Sequence, residues 1–408
     1  MELKNKRINI VFCMYQIITG GIEKCLLRII EKLVPNNKYD IRIIVKRPIH
    51  EKYFIDFFKK YGIKVIIQDS IFNKKIANTI LYNSDIIIDY FNCCFWNEIS
   101  EIPVAKIGVY HSSINFFYKE SKEMQYSILN SYDKFICLTD SFKQDVIKYI
   151  PEYKNITEQL YNPINVESLQ KLANIGEYPK DCDKYFVFLG RFHEDKDHDC
   201  VINAFYKFSQ KAPNAKIYFL GAGDKQEEYK EKIKNLGLEN KIIFTGAIAN
   251  PYGYLKHSLA NILSSPNEGL SNVLIEGAAL GVLNISSDCK SSPREVLMDG
   301  KAGILYPVGD SNRLSEILSA VWDDKIDKST YIESGNKNLY RFDSDITIGQ
   351  FEKNILETIN NTRIKYKKTK IKRIIQNIFS IKNFNEHKVI TIFGIKLKIK
   401  IRRYDEKS

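Results

Sequence analysis

Nine residues, Glu268-Gly-Leu-Ser-Asn-Val-Leu-Ile-Glu276, put two carboxylates at the ends of a turn and a helix start. The apolar run Ala260-Asn-Ile-Leu-Ser-Ser before them reads as a buried strand, and 273–280 reads as a helix. Gly269 supplies the sharp turn between the two. The N–H groups of residues 270 to 273 have no partner within such a helix, so they face whatever lies beyond the strand end. A helix start of this kind is an anion site, with phosphate as its natural guest. Carboxylates beside a phosphate are poorly placed to bind it and well placed to accept hydrogen bonds from hydroxyls. Glu268 and Glu276 therefore suit a sugar joined to a ribose through a diphosphate.

Other residues extend that chemistry. Arg191 and Lys196 follow the apolar run 185–189 and Gly190, where two cations can neutralise a diphosphate and stabilise a leaving nucleotide. Four acids, Glu194, Asp195, Asp197 and Asp199, balance that loop and allow a merely solvated reading. Gly20-Gly21 opens the helical pattern 23–33 and, taken alone, is an ordinary turn rather than a dinucleotide fingerprint. His111 follows the strand-like run 105–110, a setting that the other five histidines lack. His193 and Asp195-Lys-Asp-His-Asp199 crowd ligand types together, but lack the glycine and distant glutamate of a calcium loop and have the wrong spacing for zinc. No metal is expected. No Ser-His-Asp or Cys-His nucleophile system is legible.

Five ordered segments carry a resemblance to a known family: Gly20-Gly21, Gly190-Arg-Phe-His-Glu-Asp-Lys196, the Glu268 to Glu276 motif, Asp288-Cys-Lys-Ser-Ser-Pro-Arg-Glu295 and Gly303-Ile-Leu-Tyr-Pro-Val-Gly-Asp310. Together they cover about residues 8 to 350 and resemble retaining, nucleotide-sugar-dependent glycosyltransferases of the bacterial family 4 type (glycosyl transferases group 1). The resemblance implies a GT-B fold. It implies that Glu276 accepts hydrogen bonds from the ribose hydroxyls and that Glu268 holds the donor sugar. Arg191 and Lys196 would neutralise the diphosphate, and the backbone of Gly269, Leu270 and Ser271 would reach sugar and phosphate oxygens, with the Asn272 amide beside them. Gly20 and Gly21 would approach the donor phosphate and the acceptor, and His111 would lie near the reacting centre. Catalytic roles therefore fall on Glu268, His111, Arg191 and Lys196. Asn162-Pro163 resembles the pair that ends the family's first domain, as hinge or cleft wall. The resemblance implies no cofactor and no obligatory metal, the nucleotide sugar being a substrate.

The elements needed to hold these residues are legible too. Strand-like runs at 8–14, 40–45, 64–68, 85–89, 105–110 and 134–138, then at 185–189, 216–220, 241–244, 261–264, 282–285 and 303–306, alternate with helical patterns. That predicts an α/β protein with two Rossmann-like domains facing across a cleft. The expected divisions are 1–173 for the acceptor-binding domain, 174–345 for the nucleotide-sugar domain, 346–360 for a returning helix and 361–408 for a basic tail. The polar stretch 174–183 reads as the linker.

An apolar content of 44% and 408 residues suffice for two cores, and no run of 18 apolar residues occurs. Eight scattered cysteines without a Cys-x-x-Cys pair read as reduced thiols, and the N-terminus leads straight into a strand, so a cytoplasmic protein is expected. The net charge of +12 lies entirely in residues 361–408, which hold 15 of 61 basic and 3 of 49 acidic side chains, leaving 46 of each elsewhere. In that tail Ile371, Ile374, Ile375 and Ile378 share one helical face, and Ile395-Lys-Leu-Lys-Ile-Lys-Ile-Arg402 alternates as a strand, with 388–392 as its hairpin partner. A basic amphipathic tail predicts attachment to the inner face of an anionic membrane; packing on the body is the alternative.

These readings converge on a glycosyltransferase moving a hexose or N-acetylhexosamine, from a UDP sugar, to a glycan or lipid-linked acceptor in surface polysaccharide or glycolipid assembly. A sugar-nucleotide epimerase on the same fold is the enzymatic rival. A nucleic-acid-binding protein using the tail is the other, and the neutral body argues against nucleic acid as a partner.

Overall fold

The structure, a computed structural model, describes residues 7–112, 117, 119–384, 387–392 and 395–400, with side chains as far as residue 366. Seven strands form the first sheet: β1 Ile8–Met14, β2 Tyr39–Val45, β3 Lys64–Ile67, β4 Ile86–Asp89, β5 Ala105–Tyr110, β6 Lys134–Cys137 and β7 Thr157–Gln159. All pair in parallel, in the order β3-β2-β1-β4-β5-β6-β7. β4 and β5 are buried at every residue, which is why both read as largely apolar runs, interrupted only by the buried Asp89 and Lys106. β7 was not expected. It is a three-residue edge strand of Thr, Glu and Gln, without an apolar residue to betray it.

The second sheet comprises β8 Tyr185–Leu189, β9 Lys216–Leu220, β10 Ile242–Gly246, β11 Ala260–Leu263, β12 Leu283–Ser287 and β13 Ile304–Tyr306. It too is parallel, in the order β10-β9-β8-β11-β12-β13. Two Rossmann-like sheets with helices on their faces are therefore present, as the sequence predicts.

The chain crosses between domains near residues 162–165 and returns beside that point. The Ile164 N–H donates to the Phe342 carbonyl at 2.7 Å, and the Ser344 N–H to the Ile164 carbonyl at 2.9 Å. The helix Val166–Ile175 already packs on the second domain: Asn250 Nδ2 donates to the Leu172 carbonyl at 2.8 Å, and Lys256 Nζ to Asn174 Oδ1 at 2.6 Å. The polar stretch 174–183 thus follows the crossing rather than making it, and Asn162-Pro163 lies at the crossing itself.

The returning segment and the amphipathic segment of the tail, expected as separate helices, are one helix, Ser344–Ile378. Its first half buries Ile348, Phe351, Ile355 and Ile359 against the first sheet, with the Phe351 ring 6.4 Å from those of Phe12 and Tyr90. Each such side chain contributes roughly 1.5–3 kcal/mol. β14 Phe379–Phe384, β15 His387–Ile392 and β16 Ile395–Lys400 follow as an antiparallel sheet. The expected hairpin is present as β15 and β16, with one more strand than predicted. Phe393 and Gly394, between its strands, lie outside the described residues.

Candidate active site

In both sheets the strand order reverses about the first strand, with β1 between β2 and β4 and β8 between β9 and β11. Connections leave such a point in opposite directions and open a crevice at the carboxyl ends of the strands. The segments after β1, β5, β8 and β11 carry Gly20-Gly21, His111, Arg191 with Lys196, and Glu268 respectively.

Lys196 and Glu268 meet there. Lys196 Nζ lies 2.5 Å from Glu268 Oε1, with 21% and 10% of the two side chains exposed. Ser264, at the end of β11, ties the two loops by donating to the Lys196 and Asp197 carbonyls at 2.6 and 2.9 Å. Arg191 stays at the rim, its side chain 60% exposed and 3.7 Å from the Asp195 carboxylate. The ring of His198 turns the other way, into the core against Phe188, Phe192 and Tyr229. His193 stays paired with Asp195, while Asp197 caps the Cys200 N–H and Asp199 pairs with Lys232; among the described residues no group of three or more ligands is arranged to hold a metal ion.

Glu276 is buried in the helix Asn272–Ala279. Its Oε1 accepts from Tyr252 Oη at 3.0 Å and lies 3.7 Å from Arg28 Nη2, which comes from the first domain. The partners of a charge within Leu274-Ile-Glu-Gly-Ala-Ala were the open question in the sequence, and they come from far along the chain.

The two domains touch through small residues. A Cβ on Gly269 would stand 1.8 Å from the His111 carbonyl oxygen, and one on Gly21 would stand 2.6 Å from Asn272 Nδ2. Asn272 also accepts from Asn162 Nδ2 at 2.9 Å. Gly20 caps the helix Gly21–Leu33 without a side-chain bond. The Ser271 N–H, expected to reach a ligand, donates to Ser292 Oγ at 2.7 Å, and the Leu270 side chain is buried.

His111 is buried, and neither ring nitrogen makes a well-formed hydrogen bond among the described residues. Burial lowers its pKa to about 3 against a weaker pull from the Tyr90 backbone, so the ring is neutral at pH 7. Asn92 holds its backbone: Oδ1 accepts from the N–H groups of His111 and Ser112 at 2.6 and 3.0 Å. Ser265 Oγ and Asp288 Oδ1, just beyond β11 and β12, and Ser271 Oγ, at the cap of the helix Asn272–Ala279, are likewise buried without partners among the described residues. Four residues with orphaned polar atoms in the segments that follow the strands are what a polyhydroxylated guest would satisfy.

The sequence did not disclose Glu23, Arg28, Asn92 or Tyr252. Glu23 and Arg28 follow the glycine pair within its own helix, a signal that could have been weighed. Asn92 and Cys93 both have positive φ, at 51° and 57°, a strain with no reliable mark in the sequence.

Parallel sheets, cleft and strand-end site define a GT-B architecture. The structure aligns over 87% of its length with the whole of Anabaena HepE in complex with UDP-glucose, at a TM-score of 0.70 and 17% identity. Residues 173–338, the second domain, match the family model Glycosyl transferases group 1. An uncharacterized glycosyltransferase of Methanocaldococcus jannaschii is 33% identical over 211 residues, covering 50% of this chain and 49% of that protein. The N-acetylgalactosamine-N,N'-diacetylbacillosaminyl-diphospho-undecaprenol 4-alpha-N-acetylgalactosaminyltransferase of Campylobacter jejuni is 31% identical over 186 residues, covering 46% and 50%. The chain thus spans about half the length of these curated relatives.

Proposed function

We propose that this protein is a retaining glycosyltransferase that moves a hexose or N-acetylhexosamine from a UDP sugar to a glycan or lipid-linked acceptor. The observation that carries the proposal is the strand-end cleft, where Lys196 pairs with Glu268 beside the orphaned polar atoms of His111, Ser265, Ser271 and Asp288. Lys196 and the exposed Arg191 take up the charge of the departing diphosphate. Glu268 accepts hydrogen bonds from the donor sugar, Glu276 from the ribose, and neutral His111 bonds to a sugar hydroxyl without adding charge. The backbone of Gly269 and Leu270 and the loop at Gly20 and Gly21 leave room for sugar and phosphate. The acceptor hydroxyl attacks from the face the diphosphate leaves, and a diphosphate oxygen takes its proton. No metal is required in this scheme.

Two likenesses support the substrate classes: HepE is seen with UDP-glucose, and the Campylobacter enzyme's name specifies a diphospho-undecaprenol acceptor. A lipid-linked acceptor suits a cytoplasmic enzyme attached to an anionic membrane surface through residues 361–408, which carry the net charge.

Calorimetric titration of UDP, GDP, ADP and CMP with EDTA present tests the site. Selective binding of UDP is expected, weakened about tenfold or more in Arg191→Ala and Glu276→Ala. Binding of no nucleotide, or binding indifferent to both substitutions, would overturn the assignment.

A further inference from the structure

Two helices, one from each domain, meet face to face across the cleft. On the helix Gly21–Leu33, positions 21, 25 and 28 fall on one side, and on Asn272–Ala279 positions 272 and 276 do. Gly21 abuts Asn272, Cys25 Sγ lies 3.7 Å from Asn272 Nδ2, and Arg28 Nη2 lies 3.7 Å from Glu276 Oε1. Arg28 is itself fixed, because its Nη1 donates to the Pro163 carbonyl at 2.9 Å where the chain passes between domains. Both neighbours of Glu276, Tyr252 Oη and Arg28 Nη2, engage the same oxygen, Oε1.

We propose that Arg28 is a positioning residue of the nucleotide subsite: from the first domain it orients the Glu276 carboxylate that receives the ribose, so ribose recognition and domain closure share one guanidinium. The inference rests on the nucleotide-sugar reading above. A carboxylate held through one oxygen presents the other in a fixed direction, and a ribose with two adjacent hydroxyls rewards that direction. Were the domains to part, Arg28 would leave with the first one. Glu276 would keep Tyr252 and lose its charged neighbour, in an otherwise apolar stretch. Affinity for the ribose hydroxyls therefore depends on the domains being together, a coupling between binding and closure that needs no moving loop.

The test compares UDP with 2′-deoxy-UDP and 3′-deoxy-UDP by calorimetry on the full chain, for wild type, Arg28→Met, Arg28→Lys and Tyr252→Phe, with thermal unfolding of each. Wild type should favour UDP over at least one deoxy analogue by about tenfold, the worth of a hydrogen bond to a charged group. Arg28→Met should bind that analogue nearly as wild type does while losing most of the preference for UDP. Arg28→Lys should restore part of it, and Tyr252→Phe should weaken it separately. If Arg28→Met keeps the full preference, or weakens UDP and both analogues by one factor, Arg28 only joins the domains and the proposal fails. Should Arg28→Met not fold, preferences unchanged in Arg28→Lys and Tyr252→Phe would overturn it equally. Wild type that binds UDP without preferring it to either analogue overturns this inference alone; wild type that binds no nucleotide overturns the glycosyltransferase reading as well.

Discussion

Glu23 lies in the first turn of the helix Gly21–Leu33 with 3% of its surface exposed, folded back over Gly20. Burial pushes its carboxyl up to about 7, against lowering by the N–H groups of Glu23 and Ile18 and by the Arg191 guanidinium. The unfolded value is near 4.5. Between these two values the folded protein holds a proton that the unfolded chain has released. The resulting stability is complete below pH 4.5 and is lost as the pH rises through 7. Glu23→Gln keeps the shape and removes the titration. The variant should therefore gain on wild type by roughly 1–3 kcal/mol between pH 5 and pH 8 in urea unfolding. An equal difference at both pH values would show that Glu23 is ionised throughout.

At the scale of elements, the contact of the loop after β11 with the segment after β5 decides whether the cleft can assemble. The Cβ of an alanine at 269 would stand 1.8 Å from the His111 carbonyl oxygen. Both partners are backbone, so no rotamer relieves the clash and the loops must part. Gly269→Ala should lower UDP affinity by at least about tenfold, through displaced cleft walls, while the melting temperature moves by only a few degrees. Unchanged affinity would mean that the domains need not touch here. The elements on either side were legible because buried parallel strands read as mostly apolar runs, and Gly20, His111, Arg191 and Glu268 each fall in the segment that follows a strand. What escaped has physical causes. β7 joins the sheet through backbone bonds that leave no apolar signature in Thr157-Glu-Gln159, and Arg28 meets Glu276 through folding of the whole chain. The helix Ser344–Ile378 crosses 360–370, a polar stretch that reads as a boundary although no Pro or Gly interrupts it. Of the site, residue types and their strand-end positions were readable; the charge partners across the cleft were not.

At the scale of the whole molecule the charge is divided rather than spread, with a balanced body and a +12 segment over 361–408. That segment does not begin at a loose joint. Thr362 is buried and Arg363 Nη2 lies 2.7 Å from Asp85 Oδ1 on the first domain, so the helix is still docked at 363. It continues to Ile378 and the three-stranded sheet, where β15 and β16 add further lysines. A truncation that separates tail from body must therefore fall after residue 366; a cut at 361 would strip a buried threonine and an ion pair from the core. Full-length protein should bind phosphatidylglycerol-containing vesicles. Six basic contacts at about 1 kcal/mol each give roughly 6 kcal/mol, a sub-millimolar surface affinity. Ending the chain after 366 should abolish vesicle binding and leave UDP affinity within about twofold. Salt then separates two modes of attachment. Electrostatic adsorption fades as the Debye length shrinks from about 10 Å at 0.1 M towards 3 Å at 1 M, whereas insertion of an apolar face survives. Vesicle binding that persists without residues 367–408 would place the membrane contact on the body and leave the basic segment for another polyanion, which a parallel titration with RNA would reveal.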